Sequence, residues 1–147
     1  MSIPVTGEFA AEKINHNVPN SVISFDETNI WVEPEKLLSV AKFLKNDKEL
    51  DMQFLNSLSA VDYIEYFELV YHLRSLRNNT TLVLKTKCYG REELNVHSLT
   101  SVWKGAELQE REVWDLMGIK FLEHPNMKRI LLWEGFPGHP LRKDFIR

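Results

Sequence analysis

Cysteine is almost missing: Cys88 is the only one in the chain. A single thiol cannot close an intrachain disulfide and falls short of the roughly four cysteine ligands that an iron–sulfur cluster ordinarily needs. A reducing, cytosolic-type compartment is therefore expected. Long apolar runs are missing too, since none approaches the roughly 20 residues that cross a bilayer. The opening residues MSIPVTGEFAAEKINH have neither the basic start nor the apolar stretch of a signal peptide, and their acids speak against a transit peptide. Any work at a membrane is expected to run through other chains. There is no Gly-x-Gly-x-x-Gly for a dinucleotide and no Gly-x-x-x-x-Gly-Lys for phosphates. Excess charge of one sign is lacking as well: the formal net charge is −3, which gives no global attraction to nucleic acid or an anionic membrane. Six Lys/Arg against three Asp/Glu from Lys120 onward nevertheless make the C-terminal end basic and leave the rest at −6.

What is present is globular. A length of 147 residues, 44% hydrophobic and 27% charged, fits one domain with its own core. No repeat or Gly/Ser linker divides it. The pattern predicts a short helix over residues 8–14 and a hairpin of Val22–Phe25 with residues 29–33 around Asp26-Glu27-Thr28. A helix over 34–45 follows, with Pro34 in its first turn and Leu37, Val40, Ala41 and Leu44 forming the apolar stripe. Residues 54–63 read as a helical turn leading into a strand. Residues 66–76 alternate Phe67, Leu69, Tyr71 and Leu73 with mostly polar neighbours and pair back with Thr80–Tyr89. Residues 94–99 add a short edge strand. The order predicts an α+β domain with a largely antiparallel sheet, helices packed on one face and an extended C-terminal tail over 135–147.

The informative stretch begins at Ala106. A helix is predicted over Ala106–Met117, stopped by Gly118. Glu107, Arg111 and Asp115 fall on one face at helical spacing, with Arg111 set to bridge the two acids. Glu110 lies among Ala106, Val113, Trp114 and Met117, and Glu112 has Leu108 and Leu116 a turn away, so neither occupies a clean polar face. A carboxylate in apolar surroundings must find a cation or a hydrogen-bond donor, or take up a proton. Lys128, Arg129, Arg142 and Lys143 are the candidate donors. A solvated row of surface ion pairs is the ordinary fate of such a run and contributes little.

Glu110-Arg111-Glu112, Asp115, Gly118-Ile119-Lys120-Phe121, His124-Pro125, Arg129-Ile130-Leu131 and Pro140-Leu141-Arg142-Lys143-Asp144-Phe145 stand in this order and spacing. That segment resembles the signature of the 30 kDa (C) subunit family of respiratory complex I, with Asp62-Tyr63 before the hairpin as a looser shared trait. Trp133 and Phe136 depart from the polar turn usual in that family, and many members carry a longer C-terminal extension. The resemblance implies a cofactor-free structural subunit of a proton-translocating NADH:quinone oxidoreductase. It would pack against the large 49 kDa/D-type subunit in the peripheral arm, on the cytoplasmic side of the membrane. FMN, iron–sulfur clusters and quinone would belong to other subunits. The motif residues then become an interface or structural network, with no catalytic, cofactor or metal ligand among them. The equivalent subunit of a membrane-bound hydrogenase or of another complex I-like dehydrogenase carries the same motif.

Two readings from other classes stand beside this: an acid/base enzyme using Glu110 and Glu112, and a generic protein-binding module. His124 and His139, each followed by proline, form a weak metal signal, because His-Pro is more simply an extended or turn dipeptide. Cys88 reads as a small buried hydrophobe, and Trp31, Trp103, Trp114 and Trp133 as core or interface anchors. The tail GFPGHPLRKDFIR is too rich in glycine and proline for a helix or central strand, yet carries Phe136, Leu141, Phe145 and Ile146. It is expected to be an arm that docks either on the large subunit or back onto the acids of the preceding helix.

Overall fold

The structure, a computed structural model, describes residues 2–90, 94–133 and 135–145. In chain order its strands and helices are β1 (Ile3–Pro4), α1 (Gly7–Asn17), β2 (Val22–Phe25), β3 (Asn29–Val32), α2 (Leu37–Asn46), β4 (Phe54–Asp62), β5 (Tyr66–Ser75), β6 (Thr80–Tyr89), β7 (Asn95–His97), α3 (Ala106–Met117) and β8 (Lys120–Leu122). A 3-10 turn at Pro34–Lys36 leads into α2.

The alternation read in the sequence builds the centre. β5 and β6 pair antiparallel without a break from Tyr66↔Tyr89 to Ser75↔Thr80. Phe67, Leu69, Tyr71 and Leu73 stand opposite Cys88, Thr86, Leu84 and Leu82, and all eight are buried. Thr86 can sit there because its hydroxyl donates to the Val32 carbonyl, 2.9 Å away. Against this face pack Ala10 and Ile14 of α1, the predicted stripe of α2, and Ala106, Val113 and Met117 of α3, in one continuous core. The sheet order is β2-β3-β6-β5-β4, with β1 also on β6. The fold is single-domain α+β with a mostly antiparallel main sheet, as expected; within that sheet β1 and β3 are the exceptions, running parallel to β6 end to end along one edge.

Two local expectations are corrected. Residues 54–62 are strand throughout, with no helical turn, paired with β5 from Phe54↔Arg74 to Asp62↔Phe67. A register shift between Leu55 and Ser57 puts the next inward leucine three positions on, at Leu58, and that spacing imitates a helix in the sequence. Residues 95–97 are not an edge of the main sheet. They pair parallel with β8, which the sequence did not reveal, in a separate two-stranded sheet. This small sheet brings the chain on either side of α3 together.

Gly7 opens α1 where the helix touches the β2–β3 turn, and a Cβ built there would lie 1.9 Å from the Asp26 carbonyl oxygen. Backbone cannot yield as a flexible side chain can. Gly7→Ala is therefore expected to cost about 1–3 kcal/mol in urea unfolding, whereas Gly105→Ala, whose Cβ would meet its nearest neighbour at 3.5 Å, is expected to leave the midpoint nearly unchanged. Equal midpoints for the two variants would contradict the close approach.

Candidate interaction site

The C-terminal third is organised by two buried acids on α3. The first is Asp115, whose side chain is wholly shielded from solvent. Its Oδ1 accepts from Arg129 Nη1 at 2.7 Å, and its Oδ2 accepts from the consecutive backbone amides of Ile130, Leu131 and Leu132 at 3.2, 2.9 and 3.0 Å. Burial pushes its pKa up, but the Arg129 bond and the three amides outweigh burial and hold it below the usual carboxylate range. Arg129 extends the knot: Nη1 also donates to the Asp115 carbonyl, Nη2 donates to the Phe136 and Gly138 carbonyls, and the guanidinium lies over the Trp114 ring. One cation thus joins the end of α3 to the glycine- and proline-rich segment beyond it.

That segment forms no helix or strand among its described residues, 135–145, and runs back over α3. His139 Nδ1 donates to the Asp115 carbonyl at 2.9 Å, and the Leu141 amide donates to the Leu116 carbonyl at 2.9 Å. The second of these bonds satisfies one of the carbonyls that the last turn of α3 leaves open. The Lys143 amide donates to Asp62 Oδ2 at 2.8 Å, which brings the Asp62-Tyr63 pair and the Pro140–Phe145 motif together across the fold. Arg142 pairs with Asp144 at 3.0 Å and lies over the Phe67 ring, while Phe136 and Phe145 stack. Gly118 ends α3 with φ 80°, and a Cβ there would also meet His139 Cδ2 at 2.8 Å, so the same residue stops the helix and lets the segment lie against it. Pro125 is exposed and Pro140 half-buried, both in turns or loops. Ile146 lies outside the described residues.

The second buried acid is Glu110. It takes none of the four cations expected for it. Its carboxylate accepts from the Ser98 hydroxyl at 2.6 Å and the Leu99 amide at 2.8 Å, and so ties α3 to the chain leaving β7. Burial pushes its pKa up to about 7, against the opposing pull of the Leu99 amide, the Ser98 hydroxyl and His97. His124 Nε2 stands 4.0 Å from it and donates to the Glu107 carbonyl, while His124 Nδ1 accepts from the Asn126 amide. His97 is paired with Glu123. Burial first, and then the nearby Glu110 charge, push the pKa of the Tyr71 hydroxyl well up.

Two further expectations fail here. Arg111 does not bridge Glu107 and Asp115; its Nε and Nη2 donate to the Lys128 and Arg129 carbonyls, each at 3.1 Å. Asp115 is already filled by Arg129 and three amides, so helical spacing alone misassigned the pair. Glu112 is exposed and belongs to a solvated face, because Leu108 beside it is exposed too. Cys88 is 6% exposed, and burial pushes its thiol up to about 11, which leaves it an inert hydrophobe at neutral pH. The tryptophans divide: Trp103 is buried and donates to the Met52 carbonyl, Trp31 donates to Glu68, Trp114 lies under Arg129, and Trp133 is 64% exposed.

Fold and site together define a small α+β domain whose C-terminal segment is clamped across its last helix. A family model described as the respiratory-chain NADH dehydrogenase 30 kDa subunit matches residues 30–147. The C-type subunit of the NADH-quinone oxidoreductase of Roseiflexus sp. (strain RS-1) is 42% identical over 142 residues, covering 90% of this chain and 80% of that protein. NADH-ubiquinone oxidoreductase subunit 9 of Reclinomonas americana is 40% identical over 131 residues, covering 87% and 63%. Among solved structures, a chain of the membrane-bound sulfane sulfur reductase, an archaeal respiratory membrane complex, superposes with a TM-score of 0.72 at 24% identity, covering 95% of this chain and 85% of that one. The trypsin-resistant fragment of Nqo5 superposes with a TM-score of 0.58 at 24% identity, covering 81% and 97%. This chain belongs to the respiratory-chain NADH dehydrogenase 30 kDa subunit family.

The raised pKa of Glu110 has a definite sign. The folded state holds a proton that the unfolded chain, titrating near 4.5, releases first, so this group's stabilising contribution is full below about pH 4.5 and is lost as pH rises to about 7. Glu110→Gln keeps an oxygen to accept from the Leu99 amide, places an amide nitrogen that can donate to the Ser98 hydroxyl oxygen, and removes the titration. Its stability relative to the parent is expected to rise by roughly 3 kcal/mol between about pH 4.5 and 7.5 in urea unfolding. A pH-independent difference would show that Glu110 titrates normally.

Proposed function

We propose that this chain is a cofactor-free scaffold subunit in the peripheral arm of a proton-translocating NADH:quinone oxidoreductase, docked through its C-terminal third onto the large 49 kDa/D-type subunit. The observation that carries this reading is the side-chain arrangement on the clamped segment. Asp115 and Arg129 hold its backbone inward, while Leu131, Trp133 and Leu141 are left 60%, 64% and 61% exposed. Large apolar side chains on a rigidly held surface segment fit a protein interface better than open water. No helix of the described residues is long and apolar enough to cross a membrane, which fits attachment through other subunits. FMN, iron–sulfur clusters and quinone would reside elsewhere in the assembly, on the cytoplasmic side of the membrane.

The names of the relatives favour this complex over a hydrogenase or another complex I-like dehydrogenase. The acid/base reading loses its geometry, because Glu110 is sealed in the core and Glu112 faces solvent.

The test replaces Leu131 and Trp133 together by serine in the full chain, within cells that assemble the complex. The variant is expected to unfold cooperatively with a midpoint like the parent's, yet recover at least about tenfold less large subunit on affinity purification. Normal recovery would contradict docking through this surface. Recovery of the parent with a hydrogenase or another electron-input subunit, and no NADH-oxidising flavoprotein, would shift the assignment to the related complex.

A further inference from the structure

We infer that the cleft between α3 and the segment following β8 is a socket for a carboxylate side chain of the large subunit, received by Arg111 and Lys128; this rests on the assembly proposed above. The cleft has a volume of about 330 Å³, and Arg111, Lys128 and Arg129 line it together with Trp114 and Met127. Among the described residues that line it there is no acid.

The three cations are not equivalent. Arg129 is neutralised by buried Asp115 at 2.7 Å. Arg111 and Lys128 have no ion-pair partner among the described residues. Arg111 spends Nε and Nη2 on backbone carbonyls, which fixes the guanidinium at the cleft without cancelling its charge. Its Nη1 has no hydrogen-bond partner among the described residues. Lys128 is exposed on the facing wall. Among the described residues, two cations without an ion-pair partner thus share one concavity, and their mutual repulsion falls when an anion enters.

The surroundings favour a protein carboxylate. Trp114 and Met127 supply an apolar lining, and exposed Leu131 and Trp133 lie on the segment that forms one wall. A partner loop with an acid beside an apolar side chain would satisfy both features, and arginine with tryptophan is a composition typical of energetic hot spots. Arg111 is held in place before binding, so little side-chain freedom is lost when the acid arrives.

The test measures affinity of the full chain for the purified large subunit at low and high NaCl, for the parent, Lys128→Glu, Arg111→Gln and the control Lys42→Glu, whose side chain is exposed on α2. Among the described residues, the hydrogen bonds of Lys128 run through its backbone, so its side-chain variant is expected to keep the parental melting temperature. Lys128→Glu is expected to weaken binding at least about tenfold and to flatten the salt dependence. Arg111→Gln is expected to weaken it as well, and Lys42→Glu to bind like the parent. Parental affinity in Lys128→Glu, while the parent binds, would overturn the socket and leave the assembly reading standing. No binding by the parent would overturn both. Binding to vesicles containing an anionic phospholipid that is lost in Lys128→Glu, with affinity for the large subunit unchanged, would replace the protein carboxylate by a lipid headgroup and overturn the inference.

Discussion

Asp115 carries its charge where no solvent reaches, and a bare carboxylate in that position would cost several kcal/mol. Arg129 and three successive amides remove that cost, and in doing so they dictate the course of the backbone from residue 129 to 132. Because the same guanidinium also binds the carbonyls of Phe136 and Gly138, the constraint passes to a stretch that could not hold itself. Glycines and prolines prevent regular structure there, so the segment depends on bonds to α3 and to Asp62 for its shape.

Five residues earlier on the same helix, Glu110 meets a different environment. Among the described residues it has a hydroxyl and one amide but no cation in hydrogen-bond contact, and burial wins. The two acids therefore shift in opposite directions while both serve as fasteners. Asp115 binds the chain that follows β8, and Glu110 binds the chain that follows β7. Together with the parallel pairing of those two strands, they enclose α3 in a frame that leaves Glu112 and Leu108 to solvent.

Much of this architecture was legible from periodicity. The stripe of α2, the alternation of β5 and the glycine that stops α3 follow from local geometry that any sheet or helix must obey. β1 and β8 were not legible, because strands of two and three residues have too few positions to show a period and exist through their parallel partners. A bulge between Leu55 and Ser57 hid the first half of β4. In the C-terminal third, the motif pointed to the segment that carries both buried acids, and apolar neighbours on both sides marked Glu110 as unusual. Its partners Ser98 and Leu99 gave no such signal, since a hydroxyl and an amide look the same in any loop. Arg111 was misread because spacing along a helix says which residues are neighbours and nothing about which acid has already been filled from elsewhere.

If the buried Asp115 carboxylate holds the C-terminal segment, the amides of Ile130, Leu131, Leu132 and Leu141 are shielded from exchange in the free protein. Hydrogen–deuterium exchange resolved to single amides reads this directly in the parent and in Asp115→Asn. Protection of all four amides in the parent is the expected result, with loss of it in Asp115→Asn while the β5 and β6 amides stay protected. Fast exchange at those positions in the parent, or unchanged protection in Asp115→Asn, would contradict the central role given to this carboxylate.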